Sequence, residues 1–241
     1  MLFRSETIWQ VATRCGVEIP HLCYSPEADY RADGNCRACM VEIEGERVLA
    51  ASCIRIPSEG MVVNSASDRA RTARKMVFEL LTADQPERET SHDPESKFWN
   101  WASDIGVEGS RLPQRATPEV DQSHTAMRVN LDACIHCNLC VRACREVQVN
   151  DVIGMAYRGH GAKIVFDFDD PMGDSTCVAC GECLQACPTG ALMESSLLDE
   201  NQTRVNYPDE QVESVCPYCG VGCQITYNLK DGKLLFVDGK E

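Results

Sequence analysis

The sequence predicts an α+β chain built from several small modules rather than one domain with a large core. Two observations support this class. The chain holds 16 cysteines in 241 residues, while only 6% of its residues are aromatic. The cysteines also stand in separate groups, and none occurs from Ile54 to Ala133. Small modules bury little apolar surface, so we expect bound metal to supply much of the folding free energy.

Charge and hydropathy exclude several classes of protein. The chain has 23 Lys and Arg residues and 37 Asp and Glu residues, which gives a formal net charge of −14. A nucleic-acid-binding domain is expected to be basic, and a membrane span needs about eighteen consecutive apolar residues, which the chain lacks. The segment MLFRSETIWQ has neither a secretory apolar core nor a twin-arginine pair, so we expect a cytoplasmic protein. Thiols stay reduced there, and clustered cysteines then indicate metal rather than disulfides.

The cysteine groups and the composition between them divide the chain into five segments. We expect a first metal module over residues 1–65, a helical spacer over 66–126, a second metal module over 127–197, a polar linker over 198–213 and the start of a third module over 214–241.

The spacer should contain two helices. The first begins at a capping box formed by Ser65 and Asp68 and stops at Pro86. Its expected apolar face consists of Ala73, Met76, Val77, Leu80 and Leu81. The second takes Asp93 as its N-cap and stops at Gly106. Its expected apolar stripe consists of Phe98, Trp101, Ala102 and Ile105.

The second module is an internal repeat. CIHCNLCVRAC (134–144) has the spacing C-x2-C-x2-C-x3-C, and CVACGECLQACP (177–188) repeats it, as in bacterial two-cluster ferredoxins. In that pattern the fourth cysteine of each run binds the other cluster, so the expected ligand sets cross. One [4Fe–4S] cluster takes Cys134, Cys137, Cys140 and Cys187, and the other takes Cys177, Cys180, Cys183 and Cys144. Small residues at Ala179 and Gly181 would let backbone N–H groups approach cluster sulfurs.

The alternative for this repeat is a pair of zinc ribbons, which usually draw one cysteine pair from each of two segments.

The first module contains Cys23, Cys36, Cys39 and Cys53, spaced C-x12-C-x2-C-x13-C rather than as in plant-type ferredoxins. With SETIWQVATRCGVEIPHLC (5–23) and GNCRAC (34–39), it resembles the variant β-grasp ferredoxin at the N-terminus of complex I and hydrogenase electron-transfer subunits. The resemblance implies one [2Fe–2S] cluster on these four cysteines. The following MVEIEGERVLAASC predicts a hairpin with buried Val41 and Ile43.

Two features depart from that ferredoxin pattern. A β-grasp domain normally begins with a hairpin, but only Met1–Arg4 precede the first helix. Either the start of the sequence is misplaced or the domain is trimmed, and we expect its sheet to expose an unpaired edge. Cys15 has no place among the ligands. It should share a helix face with Ile8, Val11 and Ala12, where a free cysteine behaves as a small buried hydrophobe.

The spacer should carry no cluster. Related proteins often have H-x3-C-x2-C-x5-C there, but residues 84–106 contain no cysteine. Ser, Asp and Pro surround His92, which predicts a surface loop residue. The remaining histidines are scattered along the chain and predict no catalytic pair: His21, His124, His136 and His160.

The third module begins with CPYCGVGCQITY (216–227), followed by a predicted hairpin that turns at Asp231-Gly232. This resembles the opening of the molybdopterin oxidoreductases, in particular formate dehydrogenases. The resemblance implies that Cys216, Cys219 and Cys223 bind a third [4Fe–4S] cluster. Its fourth ligand would follow Glu241, so we expect an incomplete site and a Mo/W-bis-pterin centre only in a C-terminal part or a partner.

The order of modules resembles the iron–sulfur region of NAD-dependent formate dehydrogenase alpha subunits. It implies a chain without catalytic residues of its own, which relays electrons from formate oxidation toward flavin- and NAD-binding iron–sulfur subunits. The alternative is a free-standing electron carrier or a diaphorase-type small subunit of an NAD-reducing hydrogenase. Such subunits share the earlier modules but are not expected to carry CPYCGVGC. A zinc-structured interaction module is the third hypothesis.

Overall fold

The computed structural model describes residues 6–27, 29–114 and 116–240. Over these ranges the strands form four small antiparallel sheets, and short helices lie between them. The buried apolar side chains form three clusters rather than a single core. None of the helices in the described ranges is long and apolar enough to cross a membrane.

The first module packs helix α1 (Ile8–Arg14) on a small sheet. Thr7 caps the helix through a reciprocal capping box with Gln10, which satisfies two free N–H groups of the first turn. The sheet has the order β2-β1-β3, with β1 (Met40–Ile43), β2 (Ala50–Ala51) and β3 (Val63–Asn64). Val41 and Ile43 are buried on one face of β1, and the predicted hairpin is confirmed.

Cys15 is exposed, so the prediction of a buried thiol is wrong. The helix ends at Arg14, Cys15 is its C-cap, and the backbone turns at Gly16 with φ of 75°. The cysteine therefore lies beyond the helical face that Ile8 and Trp9 bury. The expected loss of the first hairpin concerns Met1–Arg4, which lie outside the described residues.

Both predicted spacer helices form. Their N-cap residues differ from the predicted ones, and the buried face of the first helix differs in part from the predicted face. Ser67 caps α2 (Asp68–Thr82), and Ser96 caps α3 (Lys97–Ile105), in place of Ser65 and Asp93. The Asp93 carboxylate instead accepts from the Glu95 N–H at 3.2 Å and pairs with Arg204 at 3.3 Å. Gly106 ends α3 in the left-handed conformation, as predicted.

The predicted apolar face of α2 is wrong at two of its five residues, since Ala73, Val77 and Leu81 are partly buried but the other two are not. Met76 and Leu80 are more than half exposed, whereas Ala70 and Phe78 are fully buried. The ring of Phe78 stacks on Phe98 of α3, with centroids 5.7 Å apart. An aromatic side chain buries more area than a methionine, so this pair sets the rotation of the helix.

The second module consists of two strand pairs and two one-turn helices. Strand β4 (Met127–Val129) pairs with β7 (Leu192–Glu194), and β5 (Ile153–Ala156) pairs with β6 (Lys163–Phe166). The helices α4 (Leu139–Arg142) and α5 (Glu182–Gln185) each carry the third cysteine of one repeat, Cys140 or Cys183. A wider π turn, Ala143–Val147, follows α4 and carries Cys144.

The third module is a meander of β8 (Glu210–Val215), β9 (Gln224–Lys230) and β10 (Lys233–Gly239). Asp231 and Gly232 both have positive φ, as a two-residue type I′ turn requires, so the predicted hairpin is confirmed. The meander contacts the second module through Gln185 Nε2, which donates to Asp238 Oδ1 at 3.0 Å.

Candidate iron–sulfur centres

Four thiols of the first module lie together in its interior. Cys23 follows the loop after α1, Cys36 and Cys39 precede β1, and Cys53 follows β2. Cys23, Cys39 and Cys53 are at most 1% exposed. The Cys23 thiol hydrogen-bonds with the thiols of Cys36 and Cys53, and the Cys39 thiol hydrogen-bonds with that of Cys53. All four thiols are therefore connected by hydrogen bonds. Bonding to Cys23 raises the pKa of the Cys36 and Cys53 thiols.

The loop that carries Cys36 needs glycine at Gly34. Its φ is 62°, and a Cβ at this position would lie 2.8 Å from the Cδ1 atom of Ile54. Glycine is therefore favoured at this position both by its positive φ and by the isoleucine side chain packed against it.

In the second module the fold brings the cysteines into two sets of four. One cavity is lined by Cys134, Cys137, Cys140 and Cys187. Another is lined by Cys144, Cys177, Cys180 and Cys183. These are the crossed groupings expected from the repeat. Each cavity contains three cysteines of one run and the last cysteine of the other run.

The backbone of both runs has the same unusual conformation. His136 and Asn138 in the first run have positive φ, and Ala179 and Gly181 take the same places in the second. Alternating left- and right-handed residues turn successive N–H groups toward one point, which makes an anion-binding concavity. The Ala179 N–H is 3.4 Å from the Cys177 sulfur. Strained residues in both loops are what a negatively charged thiolate cluster would require.

Burial makes free thiolates unfavourable in both cavities. Burial, and then the neighbouring thiols, raise the pKa of Cys137, Cys140 and Cys183. Buried thiolates are stable only if positive charge compensates them, which iron would supply.

The third cysteine group is on the surface. Cys216, Cys219 and Cys223 lie in the turn between β8 and β9, where Cys219 and Cys223 are exposed. The Cys216 N–H donates to the Cys223 carbonyl at 2.8 Å and closes the turn. Tyr218 and Val221 beside them are largely exposed.

The first and second modules meet at the cysteines themselves. The thiol of Cys23 contributes to the electrostatic field at Cys137, and that of Cys183 to the field at Cys140. The buried guanidinium of Arg142 donates to the carbonyls of both Cys23 and Cys137. Arg142 was not predictable from the sequence, since a basic residue between two cysteines gives no sign of its long-range partners.

His92 is buried, so its prediction as a surface loop residue is wrong. Its Nε2 lies 2.7 Å from Asp132 Oδ1 and its Nδ1 lies 2.7 Å from the Gln202 carbonyl. The ring thus joins the spacer to the second module and to the linker. Two other histidines that are remote in sequence, His136 and His160, line one cavity beside Cys134.

Comparisons with known proteins agree with this series of sites. A 2Fe-2S iron-sulfur cluster binding domain matches residues 2–68, a 4Fe-4S dicluster domain matches 133–191, and a molybdopterin oxidoreductase Fe4S4 domain matches 209–241. The fold and the thiol sets therefore define an iron–sulfur electron-transfer protein. Its modules are those of the iron–sulfur N-terminal region of the molybdopterin oxidoreductase family.

The similar proteins belong to several oxidoreductases. The chain is 30% identical to one component of an NADH-quinone oxidoreductase of Rhizobium meliloti, over 96% of this chain and 27% of that protein. It is 33% identical to the HndD component of the NADP-reducing hydrogenase of Solidesulfovibrio fructosivorans, over 86% of this chain and 36% of that protein. It is 24% identical to a "Putative formate dehydrogenase" of Staphylococcus haemolyticus, over 91% of this chain and 26% of that protein. The chain thus spans between about a quarter and a third of these curated relatives.

A solved structure shares the fold. A chain of the NAD+-reducing [NiFe]-hydrogenase in the H2-reduced state superposes with a TM-score of 0.69 and 28% identity. The match covers 79% of this chain and 81% of that one.

Proposed function

We propose that this chain is an electron relay in which Cys23, Cys36, Cys39 and Cys53 hold a [2Fe–2S] cluster and the two crossed sets hold two [4Fe–4S] clusters. The observation that carries the proposal is that successive thiol sets are neighbours. The carbonyls of Cys23 in the first set and Cys137 in the second both accept from the Arg142 guanidinium, and Cys140 of the second set and Cys183 of the third belong to one cluster of buried side chains. When bound, the clusters supply one-electron redox chemistry, and the protein positions them and adjusts their potentials by burial and hydrogen bonds.

The contacts between modules support a spatial order of the sites along the relay. The third module contacts α5 through Gln185, and α5 carries Cys183. Cys216, Cys219 and Cys223 would bind a further [4Fe–4S] cluster that lacks one ligand in this sequence. The order is therefore the third module, the set with Cys183, the set with Cys137 and then the [2Fe–2S] site.

The complete enzyme that this relay serves is a formate dehydrogenase of the cytoplasm. Formate would be oxidised at a Mo/W-bis-pterin centre outside these residues, and flavin- and NAD-binding iron–sulfur subunits would accept the electrons. Support comes from the CPYCGVGC segment, from the molybdopterin oxidoreductase match over residues 209–241 and from the formate dehydrogenase relatives.

A diaphorase-type subunit of an NAD-reducing hydrogenase is the second candidate. It is favoured by the shared fold with the NAD+-reducing [NiFe]-hydrogenase chain and by the similarity to the hydrogenase component HndD. The third cysteine group has no role in such a subunit, which is why we place it second.

The test is purification of the native complex that contains this chain, with metal analysis and two substrates. The proposal expects molybdenum or tungsten and formate-dependent NAD reduction. Hydrogen-dependent NAD reduction with nickel would select the hydrogenase instead. Purified chain that contains zinc and neither iron nor acid-labile sulfide would contradict the relay itself.

A further inference from the structure

Arg142 is the largest fully buried side chain of the described residues, with only 2% of it exposed. A buried guanidinium is costly unless its donors are satisfied. Its Nη2 donates to the Cys23 carbonyl at 2.7 Å and to the Cys137 carbonyl at 3.3 Å, and its Nη1 donates to the Arg31 carbonyl. Its Nε donates to the Asn138 carbonyl at 3.3 Å and lies 3.4 Å from Asp33 Oδ2.

Two of these acceptors belong to cysteines of different thiol sets. Cys23 is in the [2Fe–2S] set of the first module, and Cys137 is in a [4Fe–4S] set of the second. Because the guanidinium is planar and rigid, one group that bonds both carbonyls fixes the distance between the two cysteine backbones. Lysine carries the same charge but lacks this fork geometry.

The other links between the two modules are weaker or further from the sulfurs. Asn35 Nδ2 donates to the Cys137 carbonyl at 3.4 Å, and the Tyr30 hydroxyl donates to Glu182 at 2.9 Å. Arg31 pairs with Glu146 at 2.8 Å, but the arginine side chain is 64% exposed. Exposed ion pairs contribute about 0–1 kcal/mol, so this one cannot replace a buried fork.

We infer that Arg142 is a positioning residue that sets the spacing between the [2Fe–2S] site and the [4Fe–4S] site of Cys134, Cys137, Cys140 and Cys187. This inference rests on the proposed function, because it assumes that both sites hold clusters. The positive charge of Arg142 also favours the reduced, more negative state of either cluster.

The experiment separates spacing from charge with two variants of the full chain. Dipolar broadening between the two reduced EPR signals reports their distance, because it falls with the inverse cube of separation. Arg142→Lys should keep both midpoint potentials near the wild-type values but lose much of the broadening. Arg142→Met should lose the broadening and also shift both potentials to lower values.

Arg74→Met is the matched control. Arg74 is also buried and donates to the carbonyls of Ala70 and Ser65, but it joins no two thiol sets. This variant should keep the wild-type broadening. Unchanged broadening in Arg142→Lys would overturn the inference alone. Wild-type protein without a [2Fe–2S] signal would overturn the proposed function together with the inference. If Arg142→Met fails to take up iron, the dipolar broadening of Arg142→Lys alone tests the inference.

Discussion

Removal of Cys187 tests the crossed arrangement of ligands most directly. Cys187 belongs by sequence to the run of Cys177, Cys180 and Cys183, but it lines the cavity of Cys134, Cys137 and Cys140. Cys187→Ala should therefore remove the cluster of the other run. Cys144→Ala is the reciprocal variant, since Cys144 lines the cavity of Cys177, Cys180 and Cys183.

The expected magnitude follows from the ligand sets. Two plus four plus four gives about ten irons for the three complete sites, so each variant should fall to about six. The two losses can be told apart because the Cys137 carbonyl shares the Arg142 guanidinium with the Cys23 carbonyl of the first module. Cys187→Ala should thus also abolish the dipolar broadening of the [2Fe–2S] EPR signal, while Cys144→Ala should retain it.

Iron and sulfide analysis with EPR on anaerobically reconstituted protein measures both quantities. Cys15→Ala is the control, since Cys15 is exposed and lies in neither cavity, and it should keep about ten irons. Retained broadening in Cys187→Ala, with its loss in Cys144→Ala, would show that each run binds its own cluster and would refute the crossed assignment.

Three further predictions concern single positions. Cys36→Ala should lose about two irons and the [2Fe–2S] EPR signal alone; loss of a [4Fe–4S] signal would contradict the first ligand set. Phe78→Ala should lower the free energy of unfolding by about 3–5 kcal/mol, whereas Met76→Ala on the exposed face should change it by less than about 0.5 kcal/mol in urea titrations. His92→Ala should cost about 1–3 kcal/mol in the same titration because it removes the side-chain partner of Asp132, which then keeps only the Ala133 N–H among the described residues; an unchanged midpoint would mean that the contact with His92 contributes nothing.

The local features of the chain were predictable because they depend on neighbours in sequence. The Asp231-Gly232 turn and the Gly106 helix end require positive φ, which the residue type itself indicates. The hairpin that contains Val41 and Ile43 follows from alternation. Each of these features is determined within a few residues of its own position.

The wrong predictions concern residues whose burial or contacts depend on a distant segment of the chain. Met76 and Leu80 satisfy the helical period of α2 as well as Phe78 does, but only Phe78 finds an aromatic partner on α3. His92 sits among turn-forming residues, yet Asp132 and the Gln202 carbonyl bury it. Ser67 and Ser96 replaced the predicted caps because neighbouring candidates of similar propensity compete, and contacts such as Asp93 with Arg204 decide between them.

The cysteine spacing predicts which thiols form sets, because three thiolates two residues apart must face one small object, and two cavities of the structure group the cysteines of the repeat in the same way. The order of the modules along the chain could be read in the same way. Which sets are neighbours, and which groups lie between them, depends on the tertiary fold. Arg142 joins Cys137 to Cys23, which lies 119 positions away from the arginine in sequence. Three ligands of each [4Fe–4S] set lie within one short loop, whereas the fourth ligand and the spacing of the sites depend on the tertiary fold, in which buried donors from one module satisfy the carbonyls of another.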